Sequence, residues 1–424
     1  MTELLSPAGS MEMFREAVRA GANSVYVGPL GWSRRDPAYE IEHHQILEAI
    51  QYAHDHGAKL RVALNVDIDP ADHAEMLRKV EAYARAGVDG FIMKSEDAMR
   101  EVHARYPEIT IHASVACNVR ERAAMERVKA AGATQFVAST ALNTFERIAA
   151  LKATADEVGI GVELLIHSNR CITGVGGCRL YDYFAPYFEE QVVHDSDGTS
   201  RTKLIGNPDK GGVCYRPCLG NHVPEIAAGF PDKVLVYLGR SNNEIYNLLD
   251  DVPRYIALGV TTLKIQGREY PTPLIGELTR IYRRLVDQTL VADEAARLRV
   301  DDVPRDDVVA EVRRFRARFP SEDGYRRFLA ANALTDEEVG VVLARSIRVQ
   351  RYLESRVGRA VRVDDEEVDR YLRERGATLR APAAREAVRA QLAEQHLAAH
   401  VKELLAELRT RAEIRILDPA PGGA

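Results

Sequence analysis

The sequence predicts an α/β protein that folds as a (β/α)8 barrel of the TIM type, followed by a separate C-terminal all-helical domain. The first observation is that strand-like and helix-like segments alternate up to about residue 290. The second is that the strand-like segments are short and continuously apolar, as expected for parallel strands buried on both faces. The third is a change of character after about residue 293, where charged helical segments replace the alternation.

Nine strand-like segments support the barrel. They are, in order, ELLSPA (3–8), SVYVG (24–28), RVALNV (61–66), GFIMK (90–94), TIHASVAC (110–117), QFVAS (135–139), VELLIH (162–167), VLVYLG (234–239) and TLKIQG (262–267). Eight or nine βα units over about 290 residues suit a barrel better than an open doubly wound sheet. A Rossmann fold is the weaker alternative, because no G-x-G-x-x-G follows the first strand.

The domain boundaries follow from these patterns. We assign residues 1–293 to the barrel, with a cysteine-bearing insertion at 168–232, and residues 294–424 to the helical domain. In the helical domain, TDEE (335–338) has the pattern of a capping box at a helix N-terminus. Near the C-terminus, AEIRIL (412–417) is predicted to be a strand.

Composition and charge restrict the class of protein. The chain has 424 residues, of which 46% are apolar, and a formal net charge of −6. This charge does not indicate a general nucleic-acid-binding protein, which is usually basic, although it is compatible with a local basic patch. MTELLSPAGS lacks the features of a secretory signal, and no run of 18 apolar residues predicts a membrane span. We therefore expect a cytoplasmic protein, in which patterned cysteines are more often metal-binding or catalytic than disulfide-bonded.

The five cysteines are the most informative residues. Cys117 lies near the end of a predicted strand and is expected to be a buried structural thiol. The other four form a C-x6-C pair, Cys171 and Cys178, and a C-x3-C pair, Cys214 and Cys218. Zinc sites favour C-x2-C pairs, whereas iron–sulfur clusters take four thiolates at more varied spacings. Spacing alone leaves an iron–sulfur cluster, a zinc site and unconnected thiols in loops as open alternatives.

The position of the cysteines along the chain favours a functional site. Cys171 follows a predicted strand by four residues, and Cys214 and Cys218 precede the next one. In a barrel, both segments would lie at the C-terminal mouth, where active sites are found. Four thiolates gathered there would place a metal centre beside the substrate cavity.

Four polar residues on the strands are catalytic candidates. Glu163 and His167 are four residues apart on one strand, so their side chains are expected to share a face, with His167 at the mouth as an acid or base. Asn65 and His112 end their strands in a similar way. The alternative for all four is a structural role in hydrogen-bonded packing.

Basic side chains near two loops are candidates for binding substrate. Lys264 and Arg268, at the end of the last strand, could bind a carboxylate or phosphate group, and the alternative is a structural salt bridge. Trp32, Arg34 and Arg35 follow the second strand and could contact substrate at the rim, or could lie in a solvated loop.

The ordered motifs of residues 3–290 resemble peptidase family U32, the collagenase-like family. The most specific part is VELLIHSNRCITGVGGC (162–178), which is similar to the family pattern of Glu, His and C-x6-C. GGVCYRPC (211–218) is similar to the family's second cysteine pair. Other blocks match in order: LLSPAGS (4–10), SVYVG (24–28), LNVD (64–67), IHAS (111–114) and LKIQGRE (263–269).

The resemblance implies an enzyme with one of two activities. The first is O2-independent hydroxylation with a [4Fe–4S] cluster on Cys171, Cys178, Cys214 and Cys218, of which Cys218 is the least secure because members differ in the fourth ligand. Relatives of this kind act on transfer RNA, ribosomal RNA or the ubiquinone ring, and several are thought to use prephenate as oxygen donor. The second activity is collagenase-like proteolysis. The sequence favours the first, because it contains neither G-x-S-x-G nor H-E-x-x-H.

The sequence departs from the family pattern where substrate should bind. These places are HASVAC (112–117), VASTAL (137–142), LGRSNNE (238–244) and Gln266. The resemblance therefore does not carry one particular substrate over to this chain, and an RNA base, a quinone precursor and another small aromatic molecule all stay open.

The helical domain has a second resemblance. The sequence pattern of residues 315–372 resembles that of the chaperone domain of SurA-type prolyl isomerases. This implies a module that binds a peptide or protein partner through residues 294–424. The alternatives are an ordinary packing or dimerising domain, or a chain that is altogether a non-catalytic binding protein.

Overall fold

The computed structural model describes most of the chain. The described residues are 2–35, 37–66, 68, 70–140, 142, 144–169, 188–195, 198–206, 245–297, 303–331, 334–357, 363–374 and 382–417. The chain divides into two compact units, residues 2–284 and residues 285–424, the second taken together with Met1. Each unit is described separately below.

Eight parallel strands close into a barrel in the first unit. The described strands are β1 (Glu3–Pro7), β2 (Ser24–Val27), β3 (Lys59–Leu64), β4 (Gly90–Met93), β5 (Thr110–Ala113), β6 (Gln135–Val137), β7 (Gly161–Asn169), β8 (Phe188–His194), β9 (Ser200–Gly206), β10 (Ile245–Asn247) and β11 (Thr262–Ile265). From β1 to β7 each strand pairs in parallel with the next, and β11 closes the ring by pairing with both β7 and β1. The predicted (β/α)8 barrel is confirmed.

The remaining strands lie outside the ring. β8 and β9 form an antiparallel pair inside the predicted insertion, and the short β10 pairs antiparallel with β7. Neither feature was predicted, while the strand predicted at 234–239 lies outside the described residues.

Helices return the chain between successive strands. They are α1 (Met11–Arg19), α2 (His43–Asp55), α3 (His73–Arg85), α4 (Glu96–Arg105), α5 (Arg122–Ala130), α6 (Phe145–Val158), α7 (Val252–Ala257) and α8 (Thr272–Arg297). The hydroxyls of Ser10, Ser95 and Thr144 cap three of them by accepting a backbone N–H of the first turn. Gly159 ends α6 at φ +72°, a left-handed conformation that glycine adopts without strain.

The fifth strand is shorter than its apolar run suggests. It ends at Ala113, because the hydroxyl of Ser114 accepts a backbone N–H and starts a 3-10 turn at Val115–Cys117. Asn118 then takes a left-handed conformation with φ +50°, which turns the chain away from the sheet. Side-chain capping therefore overrides the strand propensity of this segment.

The barrel interior has an apolar part and a polar part. Leu5, Tyr26, Ala63 and Ile92, one from each of the first four strands, pack together and are buried. The Nζ atom of Lys264 lies 4.4 Å from the centre of the Tyr26 ring, where the ring and the ammonium group attract each other. Charged, amide and hydroxyl side chains occupy further interior positions.

The second unit is helical in its described part. Besides the end of α8 it contains α9 (Arg305–Arg316), α10 (Glu322–Ala331), α11 (Asp336–Val357), α12 (Asp365–Glu374) and α13 (Pro382–Leu417). The predicted capping box forms: the N–H of Thr335 donates to Glu338 Oε2 at 2.7 Å, and the N–H of Glu338 donates to Thr335 Oγ1 at 3.2 Å. Among the described residues no helix is both long and apolar enough to cross a membrane.

The prediction of a strand near the C-terminus is wrong. Residues 412–417 continue α13, which runs from Pro382 to Leu417. Their alternation of apolar and polar residues covers only six positions, too few to outweigh the strong helix formers that precede them and the ease of extending an existing helix.

Candidate functional site

The centre of the polar interior is the Glu163 carboxylate on β7. Its Oε1 atom accepts a hydrogen bond from Lys264 Nζ of β11 at 2.6 Å, and its Oε2 atom lies 2.5 Å from His112 Nδ1 of β5. Glu163 and His112 are both 0% exposed, and Lys264 is buried as well. Three strands are thus joined by one carboxylate.

The surroundings of His112 fix its protonation. Its Nε2 atom receives the Nε–H of Arg61 at 2.9 Å and the side-chain amide of Gln135 at 2.6 Å. Because Nε2 is the acceptor for both donors, Nδ1 carries the proton and donates it to Glu163. Burial and the charge of Arg61 lower the pKa of His112, so the imidazole is neutral.

Two further contacts extend the network around the barrel. The guanidinium of Arg61 on β3 forms a paired hydrogen bond with the carboxylate of Glu3 on β1. Gln135 Oε1 accepts the hydroxyl of Thr262 at 3.0 Å, which joins β6 to β11. We call the set Glu3, Arg61, His112, Gln135, Glu163, Thr262 and Lys264 the barrel network.

The charges of the barrel network compensate one another. Burial by itself would raise the pKa of Glu163, but Lys264 and His112 outweigh it and hold that pKa at about 2. Burial lowers the pKa of Lys264, and the carboxylate of Glu163 opposes that shift. Lys264 therefore has the structural salt bridge that the sequence left as its alternative role, in place of a free anion-binding ammonium group.

His167 lies further along β7, towards the mouth. Between it and Glu163 the pairing with β11 shifts register, since Lys264 pairs with Leu165 but Ile265 pairs with His167. A shift of this kind breaks the strict alternation of a strand. Contrary to the prediction, the side chains of His167 and Glu163 do not share a face of the strand.

The environment of His167 is apolar and leaves one nitrogen unused. Its ring meets the rings of Tyr270 and Tyr282 edge to face, with centroids 6.3 and 6.2 Å away. Within the described part of the chain, its buried Nδ1 atom has no hydrogen-bond partner. Burial lowers the pKa of His167, so the ring is neutral and able to accept a proton.

Arg268 follows β11 at the mouth and is also buried. Its Nη1 atom donates to the hydroxyl of Ser33 at 2.8 Å, and Gly28 makes room for it, because a Cβ there would lie 2.1 Å from that nitrogen. Ser33 in turn donates to the carboxylate of Glu40. Burial raises the pKa of Glu40 to about 7, against the charge of Arg268 and the donors of the loop.

Asn65 directly follows β3, as predicted, and supports the loop after β2. Its Oδ1 atom accepts the backbone N–H of Arg34 at 3.1 Å. Trp32 is 0% exposed and Arg34 is 8% exposed, so this part of the loop is packed and not solvated. The salt bridge between Arg35 and Glu269 spans 3.9 Å and joins the loop to the segment after β11.

The four cysteines of the predicted metal centre, Cys171, Cys178, Cys214 and Cys218, lie outside the described residues. Cys117 is described. Its thiol lies 3.5 Å from the carbonyl oxygen of Lys94, and burial raises its pKa to about 12. This is a protonated, partly buried thiol, as predicted. Among the described residues no group of acidic, His and Cys side chains could hold a metal ion.

Several members of this arrangement were not predicted from the sequence. Glu3, Arg61 and Gln135 complete the barrel network, and Ser33 and Glu40 hold Arg268 and its loop. One signal was available: Glu3 and Arg61 are charged residues inside otherwise apolar strands, two residues before Leu5 and Ala63 and therefore on the same face as these buried residues.

The fold and this arrangement define a class of protein: a parallel (β/α)8 barrel with a charged network in its interior and with His167 and Arg268 towards the C-terminal ends of its strands. The family follows from a direct comparison. The chain belongs to peptidase family U32, whose family model matches residues 9–327. The resemblance found in the motifs is confirmed.

Individual relatives have low sequence identity to this chain. The chain is 25% identical over 315 residues to tRNA hydroxylation protein P of Escherichia coli (strain K12), covering 67% of this chain and 68% of that protein. It is 27% identical over 290 residues to 23S rRNA 5-hydroxycytidine C2501 synthase of the same organism, covering 67% of this chain but only 39% of that protein. Among solved structures, the U32 peptidase Mk0906 shares 19% identity and a TM-score of 0.35, over 40% of this chain and 70% of that chain.

The ion pair between Glu163 and Lys264 makes a first testable prediction. Replacing Glu163→Gln is expected to lower the free energy of unfolding by about 3–5 kcal/mol, because Lys264 would stay buried without its counter-charge. Lys264→Met is expected to have a similar effect, and the double variant should lose less than the sum. Denaturant unfolding followed by the fluorescence of Trp32, the only tryptophan, measures the transition of the barrel unit.

The matched control is the exposed pair of Glu81 and Arg85 on α3. The same cycle with Glu81→Gln and Arg85→Met is expected to give a coupling energy below about 0.5 kcal/mol. Coupling energies of equal size in the two cycles would contradict a special role for the buried pair.

The pH dependence of stability is a second prediction. The pKa of Glu163 is lowered from 4.5 to about 2, so its ionised form stabilises the folded barrel above pH 4.5, and this stabilisation is lost as the pH falls towards 2. The difference in free energy of unfolding between the unmodified protein and Glu163→Gln should therefore shrink from about pH 5 to about pH 3. A difference that stays constant over this range would contradict the lowered pKa.

Proposed function

We propose that this chain is an RNA-modifying hydroxylase of family U32. The observation that carries the proposal is the match of the barrel to a family in which the relatives named above are an RNA hydroxylation protein and an RNA hydroxycytidine synthase. Because the second relative is matched over only 39% of its length, its substrate is not carried over. The proposed reaction replaces a C–H bond of a base by C–OH.

We further propose a [4Fe–4S] cluster on Cys171, Cys178, Cys214 and Cys218. Strand β7 supports this ligand set, because it ends at Asn169, two residues before Cys171, and its C-terminal end faces the mouth. Four thiolates are the usual ligands of such a cluster. When bound, the cluster would supply redox chemistry that needs no O2, with an organic molecule such as prephenate as the oxygen donor.

Within this proposal the described residues have distinct roles. His167 is proposed as the acid or base, since it combines a position near the mouth with a neutral ring and an unused Nδ1. Arg268 is proposed to bind an anionic group of a substrate, and Asn65 to hold the neighbouring loop. Glu163, His112 and Lys264 are proposed to act at a distance, by fixing the strands that carry the mouth.

The peptidase alternative finds no support in the described part of the chain. A serine or cysteine peptidase needs a nucleophile hydrogen-bonded to its base. The hydrogen-bond partners of the described histidines are tyrosine, carboxylate, arginine, amide or backbone groups, and none is a serine, threonine or cysteine. Binding of a peptide or protein partner through residues 294–424, with or without catalysis by the barrel, stays a prediction.

Iron and sulfide analysis of anaerobically purified protein tests the cluster. About four iron and four sulfide per chain are expected, and Cys171→Ser is expected to lose most of them because a thiolate ligand is removed. Cys117→Ser is the matched control and should keep the full content, since Cys117 is partly buried against the backbone of Lys94. Colourless, iron-free protein would contradict this part of the proposal.

The substrate is tested in cells that lack this protein. Transfer RNA and ribosomal RNA from these cells are digested to nucleosides and compared by mass spectrometry with RNA from complemented cells. At least one nucleoside is expected to lose one oxygen atom in the deletion, to be restored by the unmodified protein and by Cys117→Ser, and not by Cys171→Ser. RNA with no such difference would rule out RNA as the substrate.

A further inference from the structure

The loop after β2 contains an arginine side chain with one nitrogen atom that is buried and has no partner among the described residues. Arg34 is 8% exposed, and its Nη1 atom is fully buried without a hydrogen bond in the described part of the chain. The only hydrogen bond found there for this residue is that of its backbone N–H, which donates to Asn65 Oδ1. Neither the barrel network nor the proposed chemistry uses the Arg34 guanidinium.

Hydrogen bonds hold the backbone of the loop after β2 in place. Its ends are joined where the N–H of Leu30 donates to the carbonyl oxygen of Ile41 at 3.0 Å, and that of Ile41 to Gly28 at 2.9 Å. Glu40 accepts the backbone N–H groups of Gly31 and Ser33 at 2.6 and 3.0 Å. These contacts fix the backbone on both sides of Trp32, immediately before Arg34.

A buried guanidinium N–H without an acceptor is unfavourable, and the fold does not compensate for it. A buried donor that loses its partner keeps the full cost of leaving water, and the cost is larger for a charged group. Natural interiors therefore pair such groups or present them to a ligand. Asn65 adds a second donor, because Oδ1 is used by Arg34 while no partner is found for Nδ2 among the described residues.

The surrounding charge favours an anion. Arg268 donates to Ser33, the residue before Arg34, and Arg35 follows directly. Of the described acidic residues that contact this loop, Glu40 accepts three hydrogen bonds and Glu269 is paired with Arg35. A guanidinium group presents its N–H donors in a fork that matches a carboxylate or a phosphate.

We propose that Arg34, with the side-chain amide of Asn65, binds the oxyanion of a small molecule, a carboxylate or a phosphate group, at the ends of β2 and β3. A small molecule fits better than an RNA backbone, because a group that is 92% buried is reached by a compact ligand and not by the phosphate of a long polymer. This proposal rests on the proposed function and adds an anionic ligand at the mouth. Binding of that ligand can be measured without catalysis.

The test uses the full-length protein and its single tryptophan. Trp32 lies two residues from Arg34, so its fluorescence reports on this loop. Acetate, succinate, inorganic phosphate and a short single-stranded RNA are titrated separately at constant ionic strength. A saturable change with a carboxylate or with phosphate is expected, and the ligand that causes it identifies which oxyanion binds. Arg34→Met should weaken this binding at least tenfold, because a charge-assisted hydrogen bond is lost.

Two matched variants separate binding from folding. Asn65→Asp keeps the acceptor for the Arg34 N–H but replaces the Nδ2 donor by an oxygen, so it should also weaken binding at least tenfold. Arg19→Met, at the exposed C-terminal end of α1 just before β2 begins, should bind as the unmodified protein does. Without ligand, Arg34→Met should unfold at the same temperature or at a higher one, because it removes a buried donor that has no partner among the described residues.

Three results would overturn the proposal. The first is the absence of a saturable response to any small oxyanion. The second is a lower unfolding temperature of Arg34→Met without ligand, which would make Arg34 a structural residue. The third is a response to RNA alone that Arg34→Met removes, which would assign the position to the nucleic-acid backbone.

Discussion

The structure depends on one carboxylate at the centre of the barrel. Glu163 is the point at which β5, β7 and β11 meet through side chains, and it stays ionised because Lys264 and His112 both donate to it. Burying a carboxylate without such partners would cost several kcal/mol, at the level of the stability of a whole domain. Glu163 and Lys264 therefore require each other, because either charge alone would be buried without a counter-charge.

The same carboxylate orders groups that it does not touch. By accepting the Nδ1–H of His112, it leaves Nε2 as an acceptor for Arg61, which also donates to Glu3. Glu3 belongs to β1, the strand that β11 must join to close the ring. A hydrogen-bonded path thus runs through the interior from β11 back to β1, beside the apolar contacts of Leu5 and Tyr26. The barrel network holds the strands together, and the positions at the C-terminal mouth are left for chemistry.

The sequence predicted the barrel well because strand and helix periods are local properties. It also placed Glu163, Lys264 and His112 among the residues of interest, but it could not pair them. His112 and Glu163 are 51 residues apart, and Glu163 and Lys264 are 101 apart, so their contact depends on sheet register and barrel closure. The prediction that Glu163 and His167 share a face is wrong for a related reason. The register shift between Lys264 and Ile265 has no signature in the strand's own sequence. Capping shortened β5 through the single hydroxyl of Ser114, which an apolar run does not reveal.

Net charge illustrates why position matters more than composition. A formal charge of −6 argued against a general nucleic-acid-binding protein, yet the mouth gathers Arg34, Arg35 and Arg268 within two adjoining segments. The positive charge of Lys264 does not add to theirs, because Glu163 neutralises it deeper in the barrel. Glu269 is paired with Arg35, and Glu40 offsets the other two arginines only in part, since burial raises its pKa to about 7. Position therefore decides what a charge can do, because solvent screens the overall field of the chain within about 8–10 Å, while buried groups such as Arg34 and Arg268 interact with a neighbouring group at contact.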